Sequence, residues 1–371
     1  MTRARELAEL GSAYDSGTLS NRNMIINGSM VCSQRGASLA SATTNAFLLD
    51  RIRYEKSGVS TVVTMSQATD APDGVSDKSL KFQVTTAGSA TPGAGHFHQF
   101  IYKMEGTSID HIKLGTSGCQ PMVFSFYAKA STTGTLPVSL HNNTGVTVFS
   151  TTYNIATANT WERYIVKLPA ITTGTWQTGT SEALAIRFGL EYGSDFTGGT
   201  PDQWRTLASG FTGSGGFQSA YTNTLGSTLN ATLNITGIQL EMGTEATPFE
   251  TTNSFSDELQ RCQRYYNQIQ KGAWGVGAAS GTPVFHYFPP VKMRVAPSYS
   301  LTVNKVSMGD MIATGFDLTG ATISANTHNT SSVCVWVFAA SSFSNTMTNF
   351  RPLLLESGGS FNGEVQMSAE F

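Results

Sequence analysis

Leu184-Ala185-Ile186-Arg187-Phe188-Gly189-Leu190-Glu191-Tyr192 alternates large apolar residues with small or charged ones. In an extended chain successive side chains point to opposite faces. Leu184, Ile186, Phe188, Leu190 and Tyr192 therefore share one face, and Arg187 and Glu191 take the other. A helix of period 3.6 would scatter the same residues around its girth. The stretch reads as a half-buried strand.

Working outward, the same two-residue period recurs. Leu80-Phe82-Val84 alternate with Lys81 and Gln83, and Met122-Phe124-Phe126-Ala128 with Ser125 and Lys129. Leu136-Val138-Leu140 follow a Thr-Thr-Gly turn, and Tyr164-Val166-Leu168 alternate with Arg163, Ile165 and Lys167. Leu229-Ala231-Leu233-Ile235 leads into Ile238-Leu240-Met242. Turn-rich stretches such as 132–134, 142–145 and 209–216 separate them. Strands this dense, with no helices between them, pair antiparallel in a sandwich or jelly roll rather than in βαβ units. The predicted fold is mostly β: an antiparallel jelly-roll sandwich over 21–252, then a short helix and a second, smaller β-domain.

Composition narrows the setting. Charged residues make up only 13% against 40% apolar, and Gly numbers 37. Since about a quarter charged is usual, Ser, Thr, Asn and Gln carry the solubility, as on rigid extracellular or virion β-proteins. A net charge of −2 offers no electrostatic footprint for nucleic acid. Cys32, Cys119, Cys262 and Cys334 are scattered and read as isolated buried thiols, and no histidine lies near a CxxC pair, so no metal site is expected. Met1–Leu10 has basic residues with no apolar run behind them, neither a signal peptide nor a membrane span. Synthesis in a cytoplasm, with no membrane insertion, is the expectation.

The flanks differ from the sandwich. Met1–Leu10 suits a short helix capped by Thr2 and stopped by Gly11, with Ala4, Leu7, Ala8 and Leu10 on one face. So short a helix is marginal alone, and it is either a frayed terminus or an attachment peg. In the second reading Arg3, Arg5, Leu7 and Leu10 make the contact, and 1–20 is peg plus linker. At Ser254 the period changes. Phe255, Leu259, Cys262, Tyr266 and Ile269 are spaced four, three, four, three, which predicts a helix within 253–272, capped by Ser254 or Ser256 and closed by Lys271-Gly272. Its apolar face either packs on a neighbouring sheet or forms a three-chain seam. Beyond it, 273–371 returns to strands at Thr282–Tyr287, Ser298–Val303, Ser332–Ala339 and Gly363–Glu370, with Pro289-Pro290 and Pro297 at edges or loops.

Signatures of catalysis are missing. There is no Gly-x-Ser-x-Gly elbow, P-loop, His-Glu-x-x-His or dinucleotide fingerprint, so no catalytic residue and no cofactor is assigned. His96 and His98 lie two apart on a candidate strand without a third ligand nearby and read as an exposed strand face. At the end of the strongest strand, Glu191, Asp195 and Asp202 accompany Tyr192, Phe196 and Trp204 in a Gly- and Thr-rich loop. An aromatic ring stacks on a sugar's C–H face while carboxylates accept its hydroxyl protons, and loops on a rigid scaffold carry function. Tyr192, Asp195, Asp202 and Trp204 are the glycan-binding candidates, with plugging of the sandwich end as the alternative for the aromatics. Trp161 and Trp176 suit core packing.

Several runs resemble a widespread class of phage virion fibre proteins. They are Asn21-Arg22-Asn23-Met24-Ile25-Ile26-Asn27-Gly28-Ser29-Met30, Gln34-Arg35-Gly36, Asp50-Arg51, Ser125-Phe126-Tyr127-Ala128-Lys129 and Asn159-Thr160-Trp161-Glu162. Most specific is Thr236-Gly237-Ile238-Gln239-Leu240-Glu241-Met242-Gly243 with Ala246-Thr247-Pro248-Phe249-Glu250, then Leu259-Gln260-Arg261-Cys262-Gln263-Arg264-Tyr265-Tyr266. The resemblance spans Asn21 to Tyr266 and implies a tail- or head-fibre component, usually a homotrimer, that touches the bacterial surface. Asn27-Gly28, Ser79-Leu80-Lys81-Phe82 and Ile238-Gln239-Leu240 also fall in the order of jelly-roll carbohydrate-binding modules. Gly237 and Gln239 stand where those modules place an acidic calcium ligand, so no calcium is carried over. The implied protein is a structural virion fibre that docks on other virion proteins through its N-terminus and meets a host cell-surface glycan or protein. The alternatives are a depolymerase of capsule or lipopolysaccharide, and a head-decorating fibre without a receptor role.

Overall fold

The computed structural model describes residues 22–208, 216–250, 254–269, 271–277, 282–302, 305–310, 315–339, 342–343, 352–356 and 364–371. The peg residues Arg3, Arg5, Leu7 and Leu10 lie outside them. The chain divides into two compact units, Met1–Glu258 and Leu259–Phe371.

The first unit is built from β1 (Ser38–Leu39), β2 (Ala46–Phe47), β3 (Ile52–Ser57), β4 (Val62–Ala68), β5 (Ser79–Thr86), β6 (Phe97–Glu105), β7 (Met122–Ala130), β8 (Gly134–His141), β9 (Thr147–Ile155), β10 (Glu162–Leu168), β11 (Glu182–Tyr192), β12 (Gln203–Thr206) and β13 (Thr232–Met242). One sheet runs β1-β4-β5-β13-β7-β10 and the other β12-β9-β8-β11-β6-β3-β2, with every pairing antiparallel. This is the expected jelly-roll sandwich. The alternating apolar residues of both sheets meet between them in one core, where Phe188 stacks on Phe100 at 4.5 Å and meets Phe126 edge-on at 5.0 Å. β13 switches the parity of its inward residues from Ile235 to Ile238 because its register against β7 slips between Thr236 and Gln239. Gly237 sits there at φ 61°, a backbone conformation that glycine adopts without strain.

Helix α1 (Phe255–Gln263) follows, and its start is as expected. The Ser254 hydroxyl accepts the Asp257 N–H (3.2 Å) while the Asp257 carboxylate accepts the Ser254 N–H (3.2 Å), a reciprocal cap. Its end corrects the sequence reading. α1 stops at Gln263, well before Lys271-Gly272, and Tyr266 and Ile269 lie in the next strand. Phe255, Leu259, Cys262, Tyr266 and Ile269 therefore do not share one helix face. Phe255 is 59% exposed, whereas Cys262, Tyr266 and Ile269 are buried. The physical reason is a ladder: strand pairing with the C-terminal segment satisfies the backbone and buries Tyr266 and Ile269, which overrides a weak local preference for helix.

The second unit comprises β14 (Tyr266–Ile269), β15 (Trp274–Val276), β16 (Val284–Tyr287), β17 (Ser298–Leu301), β18 (Lys305–Asp310), β19 (Gly315–Thr319), β20 (Thr322–Ala325), β21 (Cys334–Ala339), β22 (Ser342–Phe343), β23 (Pro352–Glu356) and β24 (Val365–Ser368). They form a three-stranded sheet, β14-β24-β17, and an eight-stranded one, β20-β21-β16-β15-β23-β18-β19-β22. Its core gathers Phe285, Trp336 and Phe338 with Met308, Leu353 and Leu355. The four strands expected in this domain are present as β16, β17, β21 and β24. Cys32, Cys119, Cys262 and Cys334 are buried thiols.

Removing the ring at the centre of the first core leaves a cavity that the rigid sheets cannot close. Phe188→Ala is expected to destabilise the first unit by about 3–5 kcal/mol in urea unfolding.

Candidate functional site

The site begins with an irregularity in β11. Against β6, Gly189 stands opposite Gln99 and Glu191 opposite His98, so Leu190 is an extra, bulged residue. Up to Phe188 the alternation holds: Ile186 and Phe188 enter the core, and Arg187 lies on the other face. Past the bulge the phase inverts. Glu191 turns to the side of His98 and Tyr54, whose rings meet edge-on at 5.2 Å, and the His98 Nδ1 lies 2.8 Å from Glu191 Oε2. Tyr192 turns onto the face of Arg187, where its hydroxyl donates to Gln99 Oε1 and accepts from Gln218 Nε2 (3.1 Å). This corrects the regular alternation, which puts Glu191 beside Arg187 and Tyr192 beside Phe188. Glycine is required at 189 because a Cβ there would lie 2.2 Å from the Tyr192 ring and 2.6 Å from Pro137.

On the Arg187 face the side chains lock together. Glu55 Oε2 accepts from Gln99 Nε2 (2.6 Å) and Arg187 Nη1 (3.1 Å), its Oε1 accepts from Arg53, and Arg187 Nε donates to His141 Nε2 (2.8 Å). Burial alone would raise the Glu55 carboxyl, but Arg187 and Arg53 outweigh it and hold the group below its ordinary range. Burial, then the adjacent Arg187, pushes His141 well below the usual histidine value. A neutral ring fits the geometry, with Nδ1 donating to the Asn142 carbonyl (2.7 Å) and Nε2 accepting from Arg187. Above this network Tyr192, Phe196 and Phe217 pack edge-to-face at 5.3–6.1 Å.

The other side of the bulge opens into a cleft of about 370 Å³. Its walls are Ser89–Pro92 after β5, Glu191–Ser194 and Thr197 after the bulge, and Ala220–Thr224 with Gly226 and Ser227 before β13. Most of these residues carry hydroxyls or are small, and Glu191 is the one carboxylate among them. Glu191 is 4% exposed and forms part of the floor. Gly226 makes room for it: a Cβ there would lie 1.9 Å from the carboxylate carbon. Tyr221 is half-buried along the wall, and its hydroxyl accepts from the Tyr192 N–H (2.9 Å) and donates to the Tyr192 carbonyl (3.2 Å), so its ring is fixed.

Of the four glycan-binding candidates, Tyr192 alone lines this cleft, and at 3% exposure its ring belongs to the aromatic plug. Asp195 is half-buried beside it, with its N–H donating to the Ala94 carbonyl (3.0 Å). Asp202 is exposed at φ 62° just before β12. Trp204 packs on Phe149 and Trp176, and its indole N–H donates to the Pro169 carbonyl (2.7 Å). Tyr221 and Asn223 escaped the sequence reading because they lie some thirty residues downstream, brought back by the chain reversal before β13. His96 and His98 do not share a strand face: β6 starts at Phe97, His98 is buried, and His96 lies in the preceding turn. Among the described residues no three His, Cys, Asp or Glu side chains gather as a metal site would need, and no helix is long and apolar enough to cross a membrane.

No protein-family model and no curated protein matches the sequence. Solved structures do. They include the enzymatically active domain of tailspike protein 4 of bacteriophage CBA120 (15% identity, TM-score 0.32), which covers 60% of this chain but only 21% of the tailspike chain. A CBM4 structure (14%, TM-score 0.28) and the family 11 carbohydrate-binding module of a cellulosomal cellulase of Clostridium thermocellum (10%, TM-score 0.29) cover 58% and 60% of this chain and 98% of their own. With TM-scores this low, the likenesses carry no argument of their own; the sheet order given above establishes the fold.

The Glu55 ion pairs yield a pH signature. A carboxyl held low in the folded state stabilises it above the unfolded pKa of about 4.3, and that contribution is lost as pH falls through the folded value. Glu55→Gln is expected to cost about 3 kcal/mol at neutral pH by removing the carboxylate that Arg187 and Arg53 both pair with. The gap between variant and wild type should narrow below about pH 4 when urea unfolding is followed across pH.

Proposed function

We propose that this chain is a non-enzymatic phage virion fibre whose jelly roll holds a host-surface saccharide in the cleft at the end of β11. The cleft itself carries the reading. It is a preformed cavity of about 370 Å³, walled by small and hydroxyl-bearing residues, with one carboxylate in its floor and one fixed aromatic along its wall. Sugars are recognised by that combination: the ring of Tyr221 offers an apolar face to C–H groups, while the lining hydroxyls and Glu191 pair with sugar hydroxyls. Binding rather than cleavage is favoured because glycoside hydrolysis by either stereochemical route commonly takes two carboxyl groups flanking the bond, and Glu191 stands alone among the residues lining the cleft.

The virion setting rests on the sequence resemblance over Asn21–Tyr266 and on the low charge of the chain. In this reading residues 1–20 dock on other virion proteins, the fibre is a homotrimer, and three weak sites gain strength by acting on one surface. The second unit, with its own core, faces the host as a distal module.

Two measurements test the reading. In calorimetric titration with saccharides released from host cell surfaces, Tyr221→Ala should weaken binding by about tenfold, equivalent to about 1.4 kcal/mol, while Trp204→Phe leaves it unchanged. Equal affinities for wild type and Tyr221→Ala would remove the cleft as the site. Deleting residues 1–20 should abolish incorporation into particles and spare saccharide binding; normal occupancy of the truncated chain would remove the peg.

A further inference from the structure

We infer that the cleft selects an ammonium-bearing saccharide, an amino sugar, with Glu191 as its counter-charge. The inference rests on the cleft being the saccharide site and adds the charge class of the ligand.

The observation behind it is an uncompensated carboxylate. Glu191 Oε2 is 2.8 Å from His98 Nδ1, and among the described residues Oε1 has no hydrogen-bond partner. His98 does not neutralise the charge. It is 1% exposed, and its Nε2 is buried with no partner. Protonating the ring would bury an N–H without an acceptor, at a cost that an aprotic Nε2 avoids. Burial pushes the His98 pKa down, although the hydrogen bond to Glu191 pulls the other way. The imidazole is thus neutral, and its Nδ1–H donates to Glu191 Oε2 without bringing an opposite charge. No lysine or arginine lines the cleft. Lys56, whose charge acts on His98, donates to the Thr61 carbonyl at 2.8 Å, makes no ion pair with Glu191 and lies outside the lining.

A carboxylate that is 4% exposed with no counter-ion is costly to keep, because it has lost most of its water without gaining an opposite charge. A ligand ammonium supplies that charge and three donors, which the free oxygen and the hydroxyls lining the cleft can accept. The fixed Tyr221 ring beside it favours a cation further. An acidic sugar meets repulsion in the same place, and an N-acetylated one loses the charge.

The test uses the full chain and three oligosaccharides of equal length: a glucosamine tetramer, its fully N-acetylated counterpart, and an oligogalacturonate. In titration calorimetry in mildly acidic, low-salt buffer the glucosamine tetramer should bind about tenfold or more tightly than the acetylated one, with the acidic tetramer unbound. The preference should shrink as salt rises. In Glu191→Gln, whose folding is checked by its melting curve, it should disappear. Equal or tighter binding of the acetylated or the acidic tetramer to wild type overturns the inference and leaves the cleft a saccharide site. Failure of all three to bind overturns the saccharide reading together with it. The wild-type arms decide the matter even if the variant does not fold.

Discussion

A single bulged residue in β11 determines where the chemistry of this molecule lies. Leu190 has no partner across from β6, and the two-residue period of the strand inverts behind it. Glu191 is thereby sent between the sheets, to a neutral histidine and an open cleft, while Tyr192 is sent to the outer face to close a polar network. Without the bulge the carboxylate would join Arg187 and Glu55 and be absorbed into the ion pairs there. The bulge depends in turn on Gly189, since any side chain at that position would collide with Tyr192 and Pro137.

Around this point the two faces of the second sheet do different work. The inner face meets the first sheet in an aromatic core, where its Phe188, stacked on Phe100, packs on Phe124 and Phe126 of β7, and it resists deformation because interiors of this density leave no free volume. The outer face is buried yet polar: Glu55, Gln99, His141 and Arg187 satisfy one another. Such a network is worth more as a fixture than as a source of stability, since a hydrophobic layer of the same shape would serve as well energetically. Here it holds Tyr192, and Tyr192 holds Tyr221 at the cleft wall. Positioning passes from the sheet to the site through three side chains.

Much of the fold was legible in the residues because burial on one face of a strand writes itself into alternation. β5, β7, β8, β10 and β11 fall where Leu80-Phe82-Val84, Met122-Phe124-Phe126, Leu136-Val138-Leu140, Tyr164-Val166-Leu168 and Leu184-Ile186-Phe188 place them. Even the bulge in β13 shows as a change of parity between Ile235 and Ile238 around Gly237. The bulge in β11 leaves no such mark, because Leu190 and Tyr192 are both apolar enough to continue the pattern. The heptad after Ser254 misleads for a related reason: Phe255, Leu259 and Cys262 do lie on a helix, but Tyr266 and Ile269 satisfy a strand equally well, and only the distant β24 decides between them.

The sequence by itself determined the fold class, the start of α1, the buried thiols and the low-charge surface, because each follows from local pattern or composition. It also placed a carboxylate and an aromatic at the end of the strongest strand. Tertiary structure alone decided which aromatic lines the cleft, that Glu191 rather than Asp195 or Asp202 forms its floor, and that His98 engages only one of its oxygens. Those facts depend on which residues from separate loops meet at one end of the sandwich, and on a register slip that apolar alternation does not reveal.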